Sequence, residues 1–214
     1  MMSMLPLTSH SIPEGLVPTN PRLGRQLTAF LRHGKSRVHT DNIPNRKNVV
    51  YQLDSLCNAF GTTPDEVFHI VRNCPKQRLS ILKDHSGTLW IAANQGHSGD
   101  ERIKAAEELM HQLEPSQVPK YLFHGTKTSL VKKILSSGLS KMQRHHVHMI
   151  GADASGINPN REAKSGFRKD SNAIIRIDTE EAIKMGCDFF ESINGVYLTA
   201  GIDGIIPKEC LSQI

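Results

Sequence analysis

The 214-residue sequence predicts an α+β protein built in two parts. Three observations carry this. The first ninety-odd residues hold three close-set helical patterns followed by two β-like runs. A stretch rich in Ala, Glu, Lys and Leu then ends at Pro115 and Pro119. Beyond it, short apolar runs of strand length alternate with helical patterns. Aromatic residues make up only 5% of the chain, so both cores must be mostly aliphatic.

Residues 1–20 carry Pro6, Pro13, Gly15 and Pro18 without periodicity and read as a flexible lead-in. Leu23, Leu27, Phe30 and Leu31 then recur at helical spacing, and Gly34 stands where a left-handed cap belongs, so a helix ends in Arg32-His33. Lys35 to Asn48 is polar and reads as a loop. Tyr51 to Phe60 forms a second helical pattern stopped by Gly61, and Thr63-Pro64 opens a third that runs to Val71, with Thr as the cap and Pro in the first turn. Arg78–Leu82 and Leu89–Ala92 read as strands joined by Asp84-His85-Ser86-Gly87. Three helices followed by a β-hairpin, over residues 21–99, is the plan of a winged helix, a fold often used on nucleic acid although a fold alone does not fix its use.

Asp100 to Glu114 has the composition of a helix and serves as a connector over residues 100–119, with the domain boundary there. In the second part, residues 120–214, Tyr121-Leu122-Phe123 is a short strand running into His124-Gly125-Thr126. Leu130, Val131, Ile134 and Leu135 mark a helix ended by Gly138. His146 to Ile150 reads as a strand, which would put His146 and His148 on one face. A long loop rich in Gly, Asn, Arg and Lys spans Gly151 to Asp170, a length more often functional than idle. Ala173–Ile177 and Asn194–Thr199 read as strands and Thr179–Met185 as a short helix.

The balance of 26 basic to 21 acidic residues permits a polyanionic partner without demanding one. Its distribution is more telling: Arg22, Arg25, Arg32, Lys35, Arg37, Arg46 and Lys47 face a single acid, Asp41, in one stretch. Cys57, Cys74, Cys187 and Cys210 have neither C-x-x-C spacing nor a dense framework, which predicts reduced thiols. With no secretory design and no apolar run of spanning length, the expectation is a soluble intracellular protein, cytoplasmic or nuclear.

Four stretches carry chemistry. Arg32-His33 at a helix end either compensates the helix dipole or binds an anion. Lys76-Gln77-Arg78 stands at the start of a strand, where a solvated edge is the plain reading. His124-Gly125-Thr126 is a turn, or a place where a ligand approaches the backbone through the glycine and free amides of a helix start. Arg144, His146 and His148 combine a planar donor fork suited to phosphate with imidazoles suited to ribose hydroxyls or a metal. A third metal ligand would have to come from His97, His124 or an acid that no spacing rule supplies, so no metal site is predicted.

Taken with Ala93-Asn94-Gln95-Gly96-His97-Ser98 and Asp188-Phe189-Phe190-x-Ser192-x-Asn194-Gly195-Val196-Tyr197-Leu198-Thr199, these stretches resemble, in order and from about residue 22 to the C-terminus, the RNA (tRNA) 2′-phosphotransferase family. The resemblance implies an N-terminal winged-helix RNA lobe and a C-terminal ADP-ribosyltransferase-like mixed β lobe that binds NAD as co-substrate. It implies removal of an internal RNA 2′-phosphate, such as a tRNA splice-junction phosphate, by transfer to NAD. The family's Arg-His-Arg-Arg set falls on Arg32, His33, Arg78 and Arg144, and its NAD-contacting elements on His124, Gly125, Thr126, His146 and His148, with no metal and with the protein expected as a monomer. Two roles stay open at this level: whether His33 bonds the phosphate or gives a proton to the departing oxygen, and which of His146 and His148 faces the dinucleotide. The alternatives are an ADP-ribosyltransferase that caps nucleic-acid phosphates or modifies protein, and a non-catalytic RNA-binding protein.

Three departures from the family pattern stand out. Ala92 replaces an Arg before the Asn-Gln-Gly-His run, Met149-Ile150 replaces a Leu-Ser pair, and Ser36 to Val50 lacks an Asp-x-x-Gly turn.

Overall fold

The computed structural model describes residues 5–7, 20–156, 159 and 170–214. The flexible lead-in expected over residues 1–20, apart from Leu5–Leu7 and Asn20, and most of the distal part of the expected 151–170 loop lie outside the described residues. The chain forms two compact units, Met1–Leu109 and Met110–Ile214. Among the described residues it has six α-helices and several antiparallel sheets.

In the first unit the elements run β1 (Leu5–Pro6), α1 (Pro21–His33), β2 (Asn45–Arg46), β3 (Val50–Gln52), α2 (Leu53–Phe60), α3 (Pro64–Arg72), β4 (Leu79–Lys83), β5 (Leu89–Ala93) and α4 (Asp100–Glu107). The strands form one antiparallel sheet in the order β1-β4-β5-β3-β2. Helix α1 starts where Asn20 accepts the Leu23 N–H and stops at Gly34, whose left-handed backbone (φ 66°) returns its N–H to Phe30. Leu23, Leu27, Phe30 and Leu31 lie on the buried side of α1 and meet Leu53, Leu56, Val67, Ile81 and Ile91 in the core. Helix α3 begins with a reciprocal cap between Thr63 and Glu66, as its sequence demands.

Two expected elements differ. Tyr51-Gln52 belongs to strand β3 rather than to the second helix, because Val50 and Tyr51 pair with Ala92 and Ile91 of β5 and the helix can start only after that ladder. The expected helix over Asp100–Glu114 stops at Glu107, and the chain turns extended so that His111-Gln112 pairs with Glu191-Phe190.

The second unit runs β6 (His111–Gln112), β7 (Tyr121–Thr126), α5 (Thr128–Ser137), β8 (Leu139–Ser140), β9 (Val147–Met149), β10 (Ala173–Asp178), α6 (Thr179–Lys184), β11 (Phe190–Glu191), β12 (Tyr197–Thr199), β13 (Ile205–Ile206) and β14 (Leu211–Gln213). Its sheets are β14-β10-β7, β6-β11-β12-β9 and β13-β8. A two-bond bridge between Phe123 and Ile150 links the first two, and Leu122, Leu139, Met149, Ile177, Phe189 and Ile206 fill the core between them. The strand expected from Asn194 begins at Tyr197, since Ser192 and Asn194 hold a turn through Gly195. None of the described helices is long and apolar enough to cross a membrane, and all four cysteines are free thiols.

One buried carboxylate closes the β4–β5 hairpin. Asp84 accepts from the Ser86 hydroxyl at 2.6 Å, the Trp90 indole at 2.9 Å and Arg46 at 3.2 Å, and from the Ser86 and Thr88 amides. The Ser86 bond leads in holding its carboxyl down to about 2. A carboxylate whose folded pKa is depressed contributes stability above its unfolded pKa of roughly 4 and loses it as pH falls toward 2. Asp84→Ala should therefore lower Tm by several degrees at pH 7, and the gap to the parent should close by pH 2; calorimetry across that range checks it.

Candidate functional site

Helix α1 puts its buried leucines on one side and Arg25, Thr28 and Arg32 on another, because residues three, four and seven apart share a helical face. That polar face, with His33 at the helix end, forms one wall of a cavity of about 640 Å³ in the first unit. The rest of its lining includes His69 of α3, Asn73 at that helix's end and Arg78, the residue before β4. No aspartate or glutamate is among the described residues that line it. Arg32, His33 and Arg78, 46 positions apart at the extremes, thus share one cation-rich groove.

A single loop holds these groups together. Directly after β5, Asn94 donates its backbone N–H to the Arg78 carbonyl at 3.0 Å and its side-chain amide to the Gln77 carbonyl at 2.6 Å. Four residues on, Ser98 donates its N–H to the Arg32 carbonyl at 3.1 Å and its hydroxyl stands 2.8 Å from His33 Nδ1. Between them Gly96 takes φ 85° beneath the Arg32 guanidinium; a Cβ there would lie 3.3 Å from Cζ and Nε. The run Asn94-Gln95-Gly96-His97-Ser98 is therefore a clamp between the end of α1 and the start of β4. Arg78 is steadied further by Cys74, whose sulfur is 3.7 Å from Nη1.

His97 sits inside that clamp with both ring nitrogens buried and without a hydrogen-bond partner among the described residues. Burial first, then the neighbouring Arg32, Arg102 and His33, push it down to about 4, so it is neutral at physiological pH. The same kinds of cause, burial foremost and then Arg32, Lys35 and Arg102, lower His33. Arg102, from α4, spans this region by donating to the Leu31 carbonyl at 3.3 Å and to the Tyr51 hydroxyl at 2.8 Å.

The remaining predicted site residues gather in the second unit. His124, Gly125 and Thr126 lie at a strand-to-helix junction with only Lys127 before α5, but they are the last three residues of β7 rather than a turn after it, paired with Ile175, Ile174 and Ala173 of β10 because that ladder extends so far. His146 precedes β9 rather than alternating within it, so the shared strand face expected for His146 and His148 does not apply; its buried ring lies 6.1 Å from that of Phe190. His148 pairs with Leu198 of β12. A chain of bonds ties the imidazoles: His124 Nδ1 to the His148 carbonyl at 2.9 Å, and His148 Nδ1 to the His146 carbonyl at 3.1 Å.

A carbonyl only accepts, so Nδ1 carries the hydrogen in both rings, and in the neutral form Nε2 carries a lone pair. His148 is held neutral, pushed down to about 4 by burial first and then by Arg144, with His146 and His124 adding to it. Arg144 is exposed, on the turn that follows Lys141, and His148 feels its charge. No group of three or more potential metal ligands occurs among the described residues.

Sequence reasoning did not assign roles to Arg25, His69, Asn73, His97, Ser98 or Arg102. Arg25 was legible as the residue seven before Arg32. A polar Asn-Gln-Gly-His-Ser run directly after a buried strand was also a signal, because polar residues that stay buried must be there to hold something.

The chain is an α+β protein with a cation-lined groove in its first unit and, in its second, imidazoles bonded to backbone carbonyls. Residues 18–201 match the family described as RNA 2′-phosphotransferase, Tpt1 / KptA family, and the chain belongs to it. It is 37% identical over 201 residues to the "tRNA 2′-phosphotransferase" of Saccharomyces cerevisiae, covering 90% of this chain and 82% of that one. It is 33% identical over 195 residues to a "Probable RNA 2′-phosphotransferase" of Nostoc punctiforme, covering 90% and 96%. It is 32% identical over 194 residues to a "Putative tRNA 2′-phosphotransferase" of Schizosaccharomyces pombe, covering 89% of this chain but 50% of that protein, so the chain spans about half of that relative's length.

Two neutral histidines, His97 in the first unit and His148 in the second, make the fold acid-sensitive. With folded pKa values of about 4 and an unfolded value near 6.5, both contribute their full stability above pH 6.5 and lose it as pH falls toward 4. The loss is on the order of 3 kcal/mol for each group. Denaturant unfolding at pH 7 and pH 5 should show the drop, and His97→Gln should remove about half of it.

Proposed function

We propose that this protein is an NAD-dependent RNA 2′-phosphotransferase that removes an internal 2′-phosphate, as at a tRNA splice junction. The observation that carries the reading is the convergence of Arg32, His33 and Arg78 on one groove with no carboxylate among its described lining residues, clamped by a single loop. A phosphate dianion needs donors that keep their charge, and arginine forks supply it while adding planar two-point hydrogen bonding. On this reading the first unit is a winged-helix RNA lobe: its three helices α1, α2 and α3 pack with the β4–β5 hairpin, and β3 adds a strand between the first two helices. The second unit is an ADP-ribosyltransferase-like lobe that takes NAD along His124, Gly125, Thr126, His146 and His148. The neutral His148 ring, fixed with Nδ1 on a carbonyl, has Nε2 as its acceptor nitrogen, which suits a ribose hydroxyl better than a pyrophosphate oxygen.

The chemistry runs in two steps. An oxygen of the RNA 2′-phosphate bonds to the anomeric carbon of the nicotinamide ribose while the bond to nicotinamide breaks, and nicotinamide leaves with the electron pair. The adjacent ribose 2″-hydroxyl then loses its proton and attacks the transferred phosphorus. The RNA 2′-oxygen departs and takes up a proton, leaving 2′-hydroxyl RNA and ADP-ribose 1″,2″-cyclic phosphate. Binding holds the reactants together in the first step, while in the second charge builds on the phosphoryl oxygens, where Arg78 and Arg144 stabilise it most. His33, the ring whose Nδ1 faces a hydroxyl rather than a carbonyl, bonds the phosphate or passes the proton to the departing oxygen.

Incubation with NAD and a short RNA carrying one internal 2′-phosphate should release nicotinamide and yield 2′-hydroxyl RNA. Folded protein that changes neither species refutes the proposal. Arg78→Ala and Arg144→Ala should slow the second step by roughly 100-fold or more and accumulate ADP-ribosylated RNA. A parent protein that leaves ADP-ribose attached would instead be an ADP-ribosyltransferase. Salt-sensitive RNA binding without NAD turnover would mark a non-catalytic binder.

A further inference from the structure

Three imidazoles of the candidate site, His33, His124 and His148, are held in two different ways. His124 and His148 each rest Nδ1 on a backbone carbonyl, an acceptor that can serve only an N–H. That contact fixes one neutral tautomer. His33 instead places Nδ1 2.8 Å from the Ser98 hydroxyl. A hydroxyl is donor and acceptor at once: it donates to an Nδ1 lone pair, and after rotating about its C–O bond it accepts from Nδ1–H. It can therefore hold the ring through both neutral tautomers and the imidazolium without moving it.

We propose that Ser98 is the positioning residue of the site, keeping the His33 ring in one orientation while its protonation state changes and leaving Nε2 for the phosphate-bearing substrate. Ser98 can do this because it is itself fixed. Its N–H is bonded to the Arg32 carbonyl at 3.1 Å, and the other end of its loop is bonded to Gln77 and Arg78 through Asn94. One five-residue loop thus sets both the ring and the two arginines that flank it.

The surroundings favour a ring that changes state. Arg32 on its own helix, Lys35 just beyond it, Arg102 of α4 and His97 of the clamp all face His33. Burial first, then Arg32, Lys35 and Arg102, lower its proton affinity. A bound phosphate dianion opposes that repulsion and raises it again. The ring is therefore set to gain a proton on substrate binding; a partner that only donates would lose its bond to Nδ1 in the imidazolium, and one that only accepts would confine the neutral ring to the tautomer with its proton on Nδ1, whereas the hydroxyl imposes neither limit.

The inference rests on the proposed function for its kinetic arm and stands apart from it in its spectroscopic arm. In the full chain, Ser98→Ala and Ser98→Thr are compared with the parent by nitrogen NMR of the His33 ring between pH 5 and 8, with and without inorganic phosphate. Ser98→Ala should change the His33 tautomer ratio and titration midpoint, and Ser98→Thr should restore both. With NAD and 2′-phosphorylated RNA, Ser98→Ala should lower kcat by roughly 10-fold or more with KM for NAD nearly unchanged, and alter the pH profile. Ser98→Thr should recover most of the rate.

An Ala variant with the parent's ring titration and pH profile overturns the proposal, as does a folded Thr variant that restores neither. A parent without turnover would remove the phosphotransferase reading, and the ring titration would still decide the role of Ser98.

Discussion

Like charges gathered in one place repel, and that constraint shapes the first unit. Neighbouring cations a few ångströms apart oppose one another by about 1 kcal/mol in water and several-fold more near a protein surface. The groove nevertheless sets Arg25, Arg32 and Arg78 around one space with no carboxylate among its described lining residues. Covalent and hydrogen-bonded geometry must hold what electrostatics would separate. Helix α1 fixes Arg25 and Arg32 on one face, and the Asn94–Ser98 loop ties the end of that helix to the entry of β4. Burial and then these cations push His97 down to about 4 and lower His33. On the proposed function, a phosphate in the groove would offset that repulsion.

The second unit solves a different problem. Its imidazoles are fixed by backbone carbonyls, and those carbonyls belong to the neighbouring strand and the segment before it. The ladder that builds the sheet therefore also sets which nitrogen carries the hydrogen. The Phe123–Ile150 bridge is the structural cause, because it brings β7 alongside β9 and so places His124 next to the His148 carbonyl. Proton placement here follows from sheet register. At His33 it is left to a hydroxyl that can rotate.

Much of this was legible from residue order. The 3.6-residue periodicity of α1, its Gly34 cap, the Thr63-Pro64 start of α3 and the alternation in Ala173–Ile177 are local signals, and the structure follows them. The errors fell where pairing overrode local pattern. Tyr51-Gln52 fits a helix in isolation but is claimed by β5, His111-Gln112 by β11, and His124-Gly125-Thr126 by β10. The motifs single out candidate site residues by their chemistry while saying little about what supports them, since support comes from Asn94, Ser98 and Arg102, which are distant in sequence from the groups they hold.

The sequence by itself determined the α+β class, the helix ends and the supply of arginines and imidazoles, because these depend on neighbours within a few positions. Only the tertiary structure decided that Arg32, His33 and Arg78 share a groove, that Asn94 and Ser98 join them, and that His124 and His148 are fixed in one tautomer while His33 is not. Each of those outcomes depends on contacts between segments that packing and strand register bring together, and local preference has no hold on them.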